Sequence, residues 1–192
     1  MKKRLVVASN NKHKIEEIKF ILADRFDLVS MEEIGFTDDI IEDADTFIDN
    51  AFIKARTIHQ KFNCNCFADD SGLMIEALNN EPGVYSARYA GEPVDHQKNI
   101  DKVLQRMQNI ENRSAKFVTV IALILDGKEY HFEGEVLGTI RRERSGNKGF
   151  GYDPIFEPIG YNITFAEMSE EQKNAISHRA RALAKMEMAL PK

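Results

Sequence analysis

"FVTVIALIL", residues 117–125, decides the architecture. Its side chains are apolar almost without a break, so an extended segment here would be hydrophobic on both faces. Such a strand has to be covered on both sides. Asp126-Gly127 follows at once. That dipeptide tolerates left-handed backbone at two successive positions, the requirement of a tight hairpin. "KEYHFEGEVLGTI" (128–140) then reads as the returning partner strand.

The covering layers lie on either side in the chain. "RLVVAS" (4–9) is a short β-branched run that reads as a buried strand. "NNKHKIEEIKFIL" carries Ile15, Ile18, Ile21 and Leu22 at helical spacing, with Ser9 or Asn10 as the expected cap. "FDLVSM" (26–31) predicts a second strand. Next, "DADTFIDNAFIKARTIHQKF" places Phe47, Ala51, Ala55, Ile58 and Phe62 on one stripe behind a cap at Asp45 or Thr46. "NCNCFADD" predicts a strand that ends at Asp69 and Asp70, and "PGVYSARYAGEP" is turn-rich. "DHQKNIDKVLQRMQNI" is a further amphipathic helix through Ile100, Val103, Leu104, Met107 and Ile110. Beyond the hairpin come a glycine-rich loop, "SGNKGFGYDPIF", and a helical stretch, "SEEQKNAISHRARALAKMEMAL", with Ser169 and Gln172 in capping-box positions. Strands and helices alternate early and a hairpin comes late. The expected class is α/β, a mixed sheet with helices packed on it.

At 192 residues the chain is long enough for one domain, or one domain with two lobes. Its net charge of -5 argues against a nucleic-acid binder held by a bulk positive field, while a local basic pocket would still serve a small anion. The apolar run near the start is four residues, too short for a signal-peptide core, and no later run is long enough to span a bilayer. The expected compartment is the cytoplasm. Cys64 and Cys66 lie near His59, but a zinc site lacks a fourth ligand at usual spacing. Two reduced, half-buried thiols are the reading preferred.

Five stretches carry chemistry. "SNNKHK" (9–14) joins a strand to a helix start, where free N–H groups, Lys12 and Lys14 could cradle phosphate. It lacks the glycines of a P-loop, and on the motif alone a solvated helix start is the reading preferred. "FADDSG" (67–72) puts two like charges side by side. If the strand runs through it, Asp69 and Asp70 point to opposite faces. A carboxylate there suits Mg²⁺, which takes few protein oxygens and shares the rest with phosphate and water. A plain turn is the other reading, and Glu42 in the acidic stretch 38–45 is either a metal ligand or part of a solvated loop. Lys54 lies on or near the apolar stripe of its helix, as a snorkelling lysine or a phosphate partner. In "GFGYD" (149–153), Phe150 or Tyr152 offers a face for a base, or simply fills core. Finally, Lys173, His178 and Arg179 converge only if the helix breaks near Ser177, which is itself a good N-cap.

In order from residue 9 to 183, "SNNKHK", the glutamate before "TFIDNAFIKA", "FADDSGL", "PGVYSARYAG", "GFGYDPIF" and "SEEQKNAISHRARAL" together resemble the inosine/xanthosine triphosphate pyrophosphatase family (dITP/XTP pyrophosphatases). The resemblance covers nearly the whole chain and makes 1–192 one enzyme domain. It implies a two-lobed α/β fold with a long, curved mixed sheet and a substrate cleft, a homodimer, and a Mg²⁺ requirement. The implied reaction cleaves ITP, dITP or XTP to the monophosphate and pyrophosphate, which removes deaminated purine nucleotides from the precursor pool. By matching position, Ser9, Asn10, Asn11, Lys12, His13, Lys14 and Ser71 would contact substrate and Lys54 would hold phosphates. Glu42 and Asp70 would bind metal, with Asp70 also catalytic. Phe150, Gly151, Tyr152, Asp153, Lys173, His178 and Arg179 would form the nucleoside end. Ala44, Asn10 and His13 stand where many relatives carry glycine.

The reaction sets electrostatic demands. Lys173 and Arg179 are pure donors, which suit a 6-keto oxygen and leave adenine's 6-amino group unmatched. Guanine shares that keto group, so its exclusion is expected at the 2-position. The competing readings are a pyrophosphatase of modified pyrimidine nucleotides, a non-catalytic nucleotide sensor and an RNA-binding module.

Overall fold

The hairpin read from Asp126-Gly127 is present. Both residues have positive φ, 50° and 75°, and they join β5 (Ser114–Leu125) to β6 (Lys128–Ile140). The structure is a computed structural model and describes residues 2–190. The remaining elements are β1 (Lys3–Val7), α1 (Lys12–Leu22), β2 (Phe26–Ser30), α2 (Phe47–Phe62), β3 (Cys66–Ile75), β4 (Glu81–Pro82), α3 (His96–Arg106), β7 (Phe156–Pro158), α4 (Glu170–Ile176) and α5 (His178–Ala189). Seven strands form one sheet in the order β2-β1-β3-β5-β6-β7, with β4 on β3. β1 is parallel to β2 and β3, whereas β4 and β7 are antiparallel to β3 and β6. The sheet is mixed, as expected from the order of elements.

The chain divides into two compact units. The first is Met1–Asp70, Thr119–Gly134 and Arg179–Lys192. Its strands alternate strictly between two cores. Leu5, Val7, Phe67, Ile121 and Leu123 point to one face and meet Ile18 and Leu22 of α1 and Ala182, Leu183 and Met186 of α5. Val6, Ala8, Cys66, Ala68, Ala122 and Ile124 point to the other and meet Ala51, Phe52, Ala55 and Ile58 of α2. This is why 120–125 reads as apolar throughout. Each fully buried Leu or Ile contributes about 1.5–3 kcal/mol by leaving water, so truncating Ile18 or Ile58 would strike one face at a time.

The second unit is Ser71–Val118 and Glu135–His178. Here Leu73, Ile75, Ala115, Phe117, Val136 and Ile140 share a core with Ile100, Val103 and Met107 of α3 and with Tyr152, Ile155, Phe156 and Phe165. The alternate residues differ: Lys116 pairs with Glu135 at 2.9 Å, and Leu137 is exposed.

Two expectations need correction. The cap of α1 is Asn11, whose side chain accepts from the Lys14 N–H, and not Ser9 or Asn10. Ser9 instead accepts from the Asn11 N–H. β3 does not stop at Asp70 but continues to Ile75, because Met74 and Ile75 pair with β4. The C-terminal helical stretch does break at Ser177 (φ -63°, ψ 155°), the condition set for Lys173, His178 and Arg179. The capping box of Ser169 and Gln172 is formed.

Candidate active site

The strand periodicity of β3 sorts its two aspartates. Asp69 follows Phe67 onto the face of α1 and α5, and Asp70 follows Ala68 onto the face of α2. Both are buried. On the first face Asp69 Oδ2 lies 3.2 Å from Lys14 Nζ and accepts from Arg179 Nε and Nη2 at 3.2 and 3.1 Å. The third arm of the guanidinium, Nη1, donates to Glu17 of α1. Burial alone would disfavour charge on Arg179, but Asp69 and Glu17 more than offset it and hold its pKa above the ordinary value. Lys14 goes the other way: burial pulls its pKa down, against the opposing pull of Asp69.

On the second face Lys54 rises from α2. Its ammonium donates to Glu42 Oε2 at 2.7 Å and to the Asp69 carbonyl at 2.8 Å, and it lies 4.0 Å from Asp70 Oδ1. Burial pushes the Asp70 carboxyl pKa up, while Lys54 and Lys14 act to lower it. The loop that carries Glu42 is pinned by Asn50, a buried α2 residue that accepts from the Ala44 N–H at 3.0 Å and donates to the Ala44 carbonyl at 3.2 Å. Ala44 is not among the residues with positive φ, so the loop here does not require glycine. Among the described residues no cluster of three His, Cys, Asp or Glu side chains is set to hold a metal ion. Glu42 and Asp70 both face one cation, Lys54 Nζ, at 2.7 and 4.0 Å, and two carboxylates completed by phosphate and water are a ligand set that would suit a divalent ion.

The second unit gathers a different set. Lys173 of α4 donates to Asp153 Oδ2 at 2.6 Å, and its ammonium lies 5.0 Å from the centre of the Phe150 ring. The same Asp153 oxygen accepts from the Phe150 N–H at 2.9 Å. Gly149, at φ +70°, makes this possible: a Cβ there would fall 2.1 Å from that carboxylate oxygen. The Phe150 face is half-buried. Tyr152 is not a stacking surface. Its ring is in the core and its hydroxyl donates to the Ser86 carbonyl at 2.7 Å, with burial pushing its pKa up. His178 is stacked on Phe117, centroids 4.7 Å apart and planes within 11°.

The break at Ser177 sends the two residues of "HR" to separate tasks. His178 keeps to the second unit, and the Arg179 guanidinium is directed to Asp69 and Glu17 of the first. The expectation that Arg179 donates to the base therefore meets a side chain that is 1 % exposed and engaged by two carboxylates. Asn10, Lys12 and His13 are exposed around the start of α1, Ser9 and Asn11 are half-buried, and His13 lies 3.7 Å from Glu16. Ser71 is half-buried on β3 and Gly151 half-buried in its loop, at φ +60°. His59 Nδ1 bonds the Cys64 carbonyl at 2.9 Å, and both cysteines are free thiols, Cys64 half-buried as expected but Cys66 fully buried within the core.

Glu17, Asn50 and Asn174 were not singled out from sequence, and Gly149 only as part of its loop. Glu17 is buried beside Ile18 but reads as a solvent-facing acid, and only its spacing of three from Lys14 hints otherwise. Asn174 is buried on α4, and neither side-chain atom has a hydrogen-bond partner.

Known proteins match the chain over nearly its whole length. The Ham1 family profile matches residues 5–189. The dITP/XTP pyrophosphatase of Porphyromonas gingivalis is 50% identical over 184 residues, covering 95% of each chain. That of Flavobacterium johnsoniae is 49% identical over 183 residues, again 95% of each. Among solved structures, the Ham1 protein of Staphylococcus aureus superposes with a TM-score of 0.88 at 41% identity, and a HAM1 protein from Coxiella burnetii with 0.89 at 40%. Each covers 97% of both chains.

Proposed function

Because the chain belongs to the Ham1 family, we propose that it is a nucleoside-triphosphate pyrophosphohydrolase that cleaves dITP, ITP and XTP between the α- and β-phosphates. The observation that carries the reading is the meeting of Glu42 and Asp70 on one buried lysine, beside the Lys14–Asp69–Arg179 network. A site of this kind holds polyphosphate by charge and positions it. The match over residues 5–189 supports one enzyme domain.

The triphosphate goes to the first unit's cluster, with Lys12, Lys14 and Lys54 as its counter-charges and the loop Ser9–His13 supplying donors. Water attacks the α-phosphorus, the α–β bond breaks, and pyrophosphate leaves with the bridging oxygen. Asp70 orients that water and takes its proton. Burial raises the pKa of this carboxyl, whereas a bound divalent cation would lower it, so the role assigned to Asp70 rests on positioning the water and not on its basicity. Glu42 and Asp70 would hold Mg²⁺, which when bound would supply charge neutralisation for the triphosphate. The residues assigned to the nucleoside are Phe150, as the stacking face, with Ser71, Gly151, Asp153, Lys173 and His178.

Selectivity rests on Lys173. The Arg179 guanidinium is engaged by Asp69 and Glu17, and Lys173, whose ammonium has three N–H groups and gives one to Asp153, is the donor we assign to a 6-keto oxygen. Replacing Lys173 with Gln should reduce dITP-over-dATP preference by about 10-fold or more and change dITP-over-dGTP preference much less, since guanine has the same keto group. Equal loss of both preferences in kcat/KM would reject that assignment.

The proposed setting is the cytoplasmic nucleotide pool. No helix of the described residues is long and apolar enough to cross a membrane. A homodimer is the proposed assembly, which sedimentation velocity would test. The test of function is incubation of a nucleotide panel with Mg²⁺ and separate assay of pyrophosphate and orthophosphate. Pyrophosphate from dITP, ITP and XTP is expected. Orthophosphate as the direct product would mean a different bond, and ITP bound without hydrolysis would mean a sensor.

A further inference from the structure

Lys54 occupies an unusual place for a phosphate-binding lysine. It is 8 % exposed, and its ammonium is already surrounded by oxygen. Glu42 and the Asp69 carbonyl accept from it at 2.7 and 2.8 Å, and Asp70 lies 4.0 Å away. The two carboxylates able to reach a metal ion are thus already held by a cation built into the chain. A second cation brought to them meets the repulsion of that ammonium at close range, where little water screens it. A triphosphate changes the balance, because its oxygens can accept from Lys54 in place of Glu42.

We infer that Lys54 is an internal counter-ion for Glu42 and Asp70, which keeps a free divalent cation out of the site and admits one only together with phosphate. The inference rests on the proposed function, because it takes Glu42 and Asp70 as the metal pair. Lys54 then does two things in sequence. It holds the carboxylates together while the site is empty, and it transfers to phosphate when the nucleotide arrives. Metal and phosphate affinities are coupled through this one side chain, and linkage makes the coupling reciprocal.

The experiment uses Mn²⁺ as a spectroscopic probe, with free Mn²⁺ followed by electron paramagnetic resonance and no turnover required. Wild-type protein titrated with Mn²⁺ alone should take up little of it below about millimolar concentration, and imidodiphosphate should bring uptake into the micromolar range. Lys54→Met should bind Mn²⁺ alone at least about tenfold more tightly than wild type, and the additional tightening given by imidodiphosphate should shrink. Lys54→Arg keeps the charge and should exclude Mn²⁺ as wild type does. If Lys54→Met does not fold, wild type and Lys54→Arg still decide. Micromolar binding of Mn²⁺ alone by wild type overturns the inference, as does an Mn²⁺ affinity unchanged in a folded Lys54→Met. Either result would make the lysine a structural ion pair or a phosphate ligand only. Failure of wild type to release pyrophosphate from dITP is a separate result: it sinks the functional reading and leaves the Mn²⁺ titration standing.

Discussion

Asp69 and Asp70 are neighbours in sequence with opposite energetic roles, and period-two geometry separates them. Asp69 is the joint counter-charge of Lys14 and Arg179. Removing its charge leaves a fully buried guanidinium with less than it needs, and breaking a buried pair in this way costs about 3–5 kcal/mol. For Asp70, burial outweighs the lysines and its charge is a net burden on the fold. Asp69→Asn should therefore lower stability by about 3 kcal/mol or more in urea unfolding. Asp70→Asn should melt within a few degrees of wild type yet lose about 10²–10⁴-fold in pyrophosphate release. The reverse pattern would exchange the two roles. Cys66 makes a second test at this scale. It has no exposure, and its thiol pKa is pushed up to about 12, chiefly by burial. The folded state keeps this proton at a pH where the unfolded thiol, near 9.0, has lost it. The contribution to stability is whole below pH 9 and is lost as pH rises through 12. A thiol reagent at pH 8 should leave Cys66 unmodified in native protein and label it on unfolding; fast labelling of native Cys66 would contradict the burial. The opposed faces of Asp69 and Asp70 were legible in six letters. The place of Arg179 was not, because its partners Asp69 and Glu17 lie 110 and 162 residues away.

At the scale of elements, local pattern set most boundaries and failed where pairing overrode it. β6 runs over the residues its composition indicated, 128–140. β3 runs five residues further than "FADD" suggested, because Ser71-Gly72 has turn chemistry but sits in a strand paired with β4. Tertiary partners decide such cases. The break at Ser177 was legible because serine is a better cap than a helix interior residue. The loop 149–153 was legible as a glycine-rich segment, but the reason for its first glycine was not. Gly149 has positive φ and lies where any side chain would collide with Asp153. The Gly149→Ala variant should push that carboxylate off the Lys173 ammonium and the Phe150 N–H. The expected result is a loss of about 1–3 kcal/mol of stability, with a rise in KM for dITP larger than the fall in kcat. An unchanged KM would show that the Asp153–Lys173 pair is not part of substrate binding.

At the scale of the whole molecule, the net charge of -5 and the charge of the substrate have the same sign. Long-range repulsion must be overcome by a few local cations, and the two contributions respond differently to salt. Charges spread over the surface act across distances near the Debye length, which is about 10 Å at 0.1 M, so salt weakens their repulsion. Lys54 is buried and Lys14 is largely so, and pairs formed at such positions are screened far less. The association of dITP should therefore be flat or faster as NaCl rises from about 10 to 150 mM, read as kcat/KM at fixed Mg²⁺. A protein built to hold nucleic acid behaves in the opposite sense, because each neutralised phosphate releases counter-ions and affinity falls steeply with salt. RNA retention at low salt that decays with a steep slope, alongside a falling kcat/KM, would mean that an exposed basic surface governs binding. It would then be the buried lysines on either side of β3 that had been given too much weight.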